Sequence, residues 1–123
     1  MIHVDTSALI DALSGPKRSG PKLRTWIDRR ERILISTLVL YEWLRGPRLS
    51  QEIEAQEALF PGLAAVPFGP REASLAAQLY RKVKRPRGRE IDLAVAACAL
   101  MHGASLWTLN PEDFRDVPGL KLM

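Results

Sequence analysis

Short apolar runs rich in branched side chains alternate with longer helical stretches along this chain, and no tight-turn pair joins one run to the next. Ile2 to Val4, Ile33 to Ile35, Ala64 to Phe68 and Ser105 to Leu109 read as strands, with Leu120 to Leu122 a candidate fifth. Helical patterning fills the intervals: Thr6 to Leu13, Pro21 to about Arg30, a segment carrying Leu38, Tyr41, Glu42 and Arg45 up to Gly46-Pro47, Ser50 to Phe60, Pro70 to about Val83, and Ile91 to His102. Asp5, Thr6 or Ser7 can cap the first helix, and Ser36 or Thr37 the third. Strands separated by helices demand crossover connections, so the expected fold class is α/β, with a mainly parallel sheet of four to five strands between helical layers. With 123 residues, a single domain over 1–123 is the expectation.

Composition adds few restrictions. The net charge of +4 permits nucleic-acid binding without establishing it. The one cysteine, Cys98, lies in an apolar run, which predicts a buried thiol and excludes an internal disulfide. No leader is evident, and the longest apolar run, Leu93 to Met101, is too short to span a bilayer, so the expectation is a cytoplasmic protein without membrane partners.

In an open α/β sheet, ligands bind beyond the carboxyl ends of the strands. Asp5 ends the first strand there, and Glu42 lies between one and two turns into the helix after the second. Asp92 sits in the first turn of the last helix, and Thr108, Asn110 and Asp113 follow the fourth strand. Carboxylates gathered at one edge repel unless a proton or a cation intervenes. An all-oxygen set of carboxylate, amide and hydroxyl groups suits Mg²⁺ or Mn²⁺ better than zinc. Such a site supports hydrolysis of phosphodiesters. Glu90 is two positions from Asp92, roughly 200° around the helix, so the two cannot face one point and Asp92 is preferred. Asp11, Asp28, Glu52, Glu54 and Glu57 read as solvated helix faces, and Asp116 as structural.

Four stretches, MIHVDTSALID, ISTLVLYEWLRG, EIDLAVAACAL and LWTLNPEDFRDVPGLKL, resemble in order the signature segments of the PIN-domain nucleases, above all the VapC-type toxins of toxin–antitoxin pairs. The resemblance implies a PIN-like three-layer α/β/α fold. It also implies an Mg²⁺- or Mn²⁺-dependent endoribonuclease acting through a metal-activated water. Asp5, Glu42 and Asp92 match the family's central metal-holding acids. Asn110 stands where many relatives carry an aspartate, so Asp113 is expected to supply the fourth charge. Ser7 and Thr108 match hydroxyls that orient the acids. The implied partners are an RNA substrate, a cognate VapB-type antitoxin and a second copy in a homodimer.

Lys82 to Arg89 holds five basic residues just before Asp92, and Arg85, Arg87 and Arg89 are candidate phosphate contacts. Trp43, Leu44 and the helices between residues 20 and 60 suit either core packing or a partner groove. Two alternatives share the fold: a PIN nuclease of RNA processing, and a binding module with a decayed site. Phosphotransfer domains fit poorly, because D-T-S replaces D-x-D and Asn110 stands where a lysine is needed.

Overall fold

The computed structural model describes all 123 residues. Its elements run β1 (Ile2–Val4), α1 (Thr6–Leu13), α2 (Gly20–Asp28), β2 (Ile33–Leu34), α3 (Thr37–Arg45), α4 (Ser50–Leu59), α5 (Pro70–Lys82), α6 (Glu90–Met101) and β3 (Ser105–Trp107). Short 3₁₀ turns occupy Gly62–Ala64 and Pro111–Asp113. The three strands are parallel in the order β2-β1-β3, with Ile2 facing Ile33 on one side and Ser105 on the other. The α/β fold with a parallel sheet is as expected, but the ladder is shorter than four to five strands.

Both missing strands survive as single bridges, Ser36 with Val66 and Leu106 with Leu122. Val66 exchanges two bonds of 2.9 Å with Ile35 and Thr37. There the partner backbone turns into α3, so the next inward N–H, that of Phe68, bonds the Thr37 hydroxyl at 3.1 Å instead. At the other edge, Leu106 bonds Lys121 at 2.8 Å and Met123 at 2.9 Å, and the pairing ends there. Helix α2 stops two residues short of the expected Arg30, which takes a left-handed φ of 59°.

A cluster of 23 buried residues forms the core. Trp43, Trp107 and Phe114 are its largest fully buried side chains, and Trp26 meets Trp107 edge-on at 4.7 Å. Trp43 is therefore core, whereas Leu44 is exposed. Helix α6 is buried from Leu93 to Ala99 with no polar face, which is how a helix apolar all round must sit. Its two acids, Glu90 and Asp92, are confined to the first turn and so emerge at the rim. Cys98 is buried, and burial pushes its thiol up to about 11. No helix is long and apolar enough to cross a membrane.

Glu52 departs from its expected place on a solvated face. It is 9% exposed, and its carboxylate accepts the Leu49 N–H at 2.8 Å and the Gly15 N–H at 3.3 Å. These bonds, that of Leu49 first, hold its pKa below the usual range, and they tie the start of α4 to the loop after α1. His3 occupies the central strand with both ring nitrogens buried and without a hydrogen-bond partner. Burial, with His102 nearby, lowers its pKa to about 4.

Candidate active site at the strand ends

Asp5 is the residue at which β1 gives way to α1. It stands at the N-cap position, yet its side chain makes no capping bond. Instead, Oδ2 accepts the Thr108 hydroxyl at 2.7 Å and the Ser7 hydroxyl at 2.9 Å. Ser7 and Thr108 lie 3.3 Å apart, and each also takes a backbone N–H, from Leu109 and Asn110 respectively, at 3.0 Å. The hydroxyls thus aim one oxygen of Asp5 and leave the other for a ligand. Asp5 is 6% exposed, and burial, reinforced by Glu42, raises its pKa against the pull of these hydroxyls.

Glu42 comes from α3. Its Oε1 accepts the Thr6 hydroxyl at 2.6 Å, and its Oε2 lies 3.4 Å from Arg45. Thr6 therefore fixes Glu42 beside Asp5 across the α1–α3 contact. The sequence pattern offered Thr6 only as a possible cap of α1, not as a residue of the site. Its position directly after Asp5 is the one signal that pointed to it.

Asp92 leaves the first turn of α6 half-buried, and its pKa is raised to about 6. Burial is the largest cause, followed by the charges of Asp5, Asp113 and Glu42, with Arg89 opposing. Four acids from four separate segments therefore act on one another electrostatically at this edge. Asp113, exposed, ends the 3₁₀ turn that Asn110 initiates. Glu90 faces elsewhere, accepting the Gly88 N–H at 3.0 Å.

The donor set is oxygen only and carries net negative charge, the chemistry that suits Mg²⁺ or Mn²⁺. No three of its acids are already gathered around one point. A cation held by one or two carboxylates and otherwise by water is what Mg²⁺ favours, and an open acidic rim accommodates it. Of the three candidate phosphate contacts, Arg85 and Arg87 are exposed. Arg89 is not free: its guanidinium is engaged by Asp116.

The fold and this rim define an α/β domain whose strand ends deliver acids and hydroxyls to one edge. The PIN domain matches residues 2–120, and the chain belongs to the PIN-domain family. Ribonuclease VapC19 of Mycobacterium tuberculosis is 32% identical over 120 residues, covering 96% of this chain and 95% of that protein. Ribonuclease VapC1 of Rickettsia felis is 33% identical over 133 aligned positions, covering 98% and 92%. Among solved structures, a DNA-bound VapBC from Salmonella typhimurium superposes with a TM-score of 0.80 at 20% identity over 99% of this chain and 96% of that one. A toxin–antitoxin complex from Klebsiella pneumoniae gives 0.76 at 26% identity over 98% and 95%.

Proposed function

We propose that this chain is the ribonuclease toxin of a toxin–antitoxin pair and that it hydrolyses RNA phosphodiesters in the presence of Mg²⁺ or Mn²⁺. The observation that carries the reading is the convergence of Asp5, Glu42, Asp92 and Asp113 on one rim, where burial first and then the charges of the other three raise the pKa of Asp92 to about 6. The naming of its relatives as ribonucleases supports the choice of substrate.

Asp5, Glu42, Asp92 and Asp113 would hold the cation, with Asp5 and Asp92 the principal ligands. When bound, the cation supplies a water of lowered pKa and a counter-charge for the phosphoryl oxygens. The residues do the rest. Ser7 and Thr108 keep Asp5 in one orientation, and Thr6 does the same for Glu42. Asp92 holds a proton more readily than a free carboxylate and gives it up in favour of positive charge. No side chain is needed as a covalent nucleophile, because water attacks phosphorus in line. Arg85 and Arg87 bind the RNA backbone beside the acids.

A VapB-type antitoxin occupies the cleft of about 710 Å³ between α1, α2 and the end of α4. Leu13, Leu23, Ile27 and Leu59 line it together with the charged Lys17, Arg24 and Asp28. The working form is a cytoplasmic homodimer. The test is cleavage of a structured RNA with Mg²⁺ or Mn²⁺ and its loss in EDTA. Asp5→Ala and Asp92→Ala are expected to abolish cleavage, and Mn²⁺ binding by calorimetry is expected to disappear in Asp5→Ala while the circular dichroism is retained. Cleavage that persists in either variant refutes the assignment of the site.

A further inference from the structure

Arg89 joins two segments that lie apart in sequence, the basic loop leading into α6 and the turn that carries Asp113 and Asp116. It stands at the N-cap of α6, three residues before Asp92 and so on the same side of the helix start. Its Nη2 donates to Asp116 Oδ1 at 2.6 Å and to the Asp113 carbonyl at 2.8 Å. Its Nη1 donates to Asp116 Oδ2 at 3.0 Å and to the Arg85 carbonyl at 3.2 Å. Each terminal nitrogen meets one oxygen of the same carboxylate, a fork-to-fork geometry that a lysine cannot reproduce. The side chain is 18% exposed, and its Nε is wholly buried. Its four terminal N–H groups are all engaged, and its Nε–H, though unpartnered, is buried, so the side chain presents no donor to a phosphate.

We propose that Arg89 is a positioning residue, which with Asp116 clamps the turn carrying Asp113 against the helix start carrying Asp92 and so sets the spacing of those two acids. This rests on the reading of the rim as a cation site. The turn of Pro111–Asp113 is a single 3₁₀ turn, anchored beyond Asp113 by the buried Phe114. On its exposed side, the Asp113 carbonyl is held by Arg89. Without the clamp, the backbone of Asp113 is free to swing outward, and its carboxylate goes with it. Arg89 also keeps one positive charge next to an otherwise acidic edge, which limits repulsion between Asp92 and Asp113 while the site is empty.

The decisive variant is Asp116→Asn, a change at the exposed partner that leaves the α6 start and the four acids intact. Arg89→Lys is its companion, retaining charge and losing the fork. In both, Mn²⁺ affinity is expected to fall about tenfold, as is usual when support of a metal ligand is lost. The kcat for RNA cleavage is expected to fall with it, while KM for RNA stays unchanged. Amide exchange over residues 111–117 is expected to quicken. If Arg89 instead served RNA binding, Asp116→Asn would free it and lower KM, with kcat and Mn²⁺ affinity unmoved; that result overturns the clamp alone. Unchanged amide exchange overturns it as well, whether or not the protein cleaves RNA. A wild-type protein that neither binds Mn²⁺ nor cleaves RNA overturns the proposed function, and the positioning role falls with it.

Discussion

Replacing Asp92 with asparagine is expected to stabilise the metal-free protein while destroying its activity. The pKa of Asp92 is raised from 3.8 to about 6, chiefly by burial and then by Asp5, Asp113 and Glu42. A shift of that size corresponds to about 3 kcal/mol at full effect. Asp92 is only half-buried, so solvent screening reduces the expected cost of its charge to about 1 kcal/mol. The folded state binds the proton more tightly than the unfolded chain. Wild-type stability from this group is therefore greatest below pH 4 and is lost as pH rises through about 6. Asparagine never ionises, so the variant's advantage is full at pH 7.5, smaller at pH 4.5, and gone well below pH 4 as the wild-type carboxyl takes up its proton. For 123 residues, 1 kcal/mol corresponds to about 4 °C in Tm. His3 imposes an acid limb of opposite sign, but both proteins share it and it cancels in the difference. The assay is urea unfolding in EDTA at both pH values, repeated with saturating Mn²⁺, where linkage to binding favours the wild type and the order reverses. A variant no more stable than wild type at pH 7.5 in EDTA, or an advantage undiminished at pH 4.5, refutes the reasoning.

Thr6→Val removes the hydroxyl that fixes Glu42 at 2.6 Å; cleavage is expected to fall about tenfold with Tm nearly unchanged, and unaltered kinetics would show that Glu42 needs no such support. Arg85→Ala with Arg87→Ala is expected to reduce the slope of log affinity against log salt by about 1.4, or about 0.7 per phosphate contact on a single strand; an unchanged slope returns both residues to the solvated loop. His3, its pKa lowered to about 4 by burial, withholds a proton that the unfolded chain takes up below pH 6.5. Stability is therefore expected to drop by about 2 kcal/mol from pH 7 to pH 5, and His3→Leu to flatten that limb; a limb that survives the substitution assigns the acid sensitivity elsewhere.

The acids of the rim were legible because local signals place them. Asp5 and Asp92 each sit at a junction between an apolar run and a polar break, and Glu42 follows a strand at a fixed helical distance. Those signals state where a side chain emerges. They do not state what it meets on emerging, and here the sequence misled in a consistent direction. The run from Ala64 to Phe68 has strand composition, but its neighbour turns into α3 after Thr37, so the ladder stops at Val66. Glu52 alternates with other glutamates on a helix and still goes inside, because the N–H groups of Leu49 and Gly15 require an acceptor there. Arg89 shares a basic run with Arg85 and Arg87, and only Asp116, 27 residues further on, separates it from them. For the Ala64–Phe68 run and for Arg89 the deciding partner lies outside the window that pattern reading inspects, and for Glu52 one of its two partners, Gly15, does; in each case it is a hydrogen bond or ion pair rather than apolar packing. Hydrophobic periodicity reports how a segment meets the core, an averaged and non-directional quantity. A directional bond depends on one atom's position and leaves no periodic trace. This is why the chain's acids could be assigned to the rim from sequence, whereas the groups that aim them, Thr6 for Glu42 and Arg89 for Asp113, emerge only from the geometry.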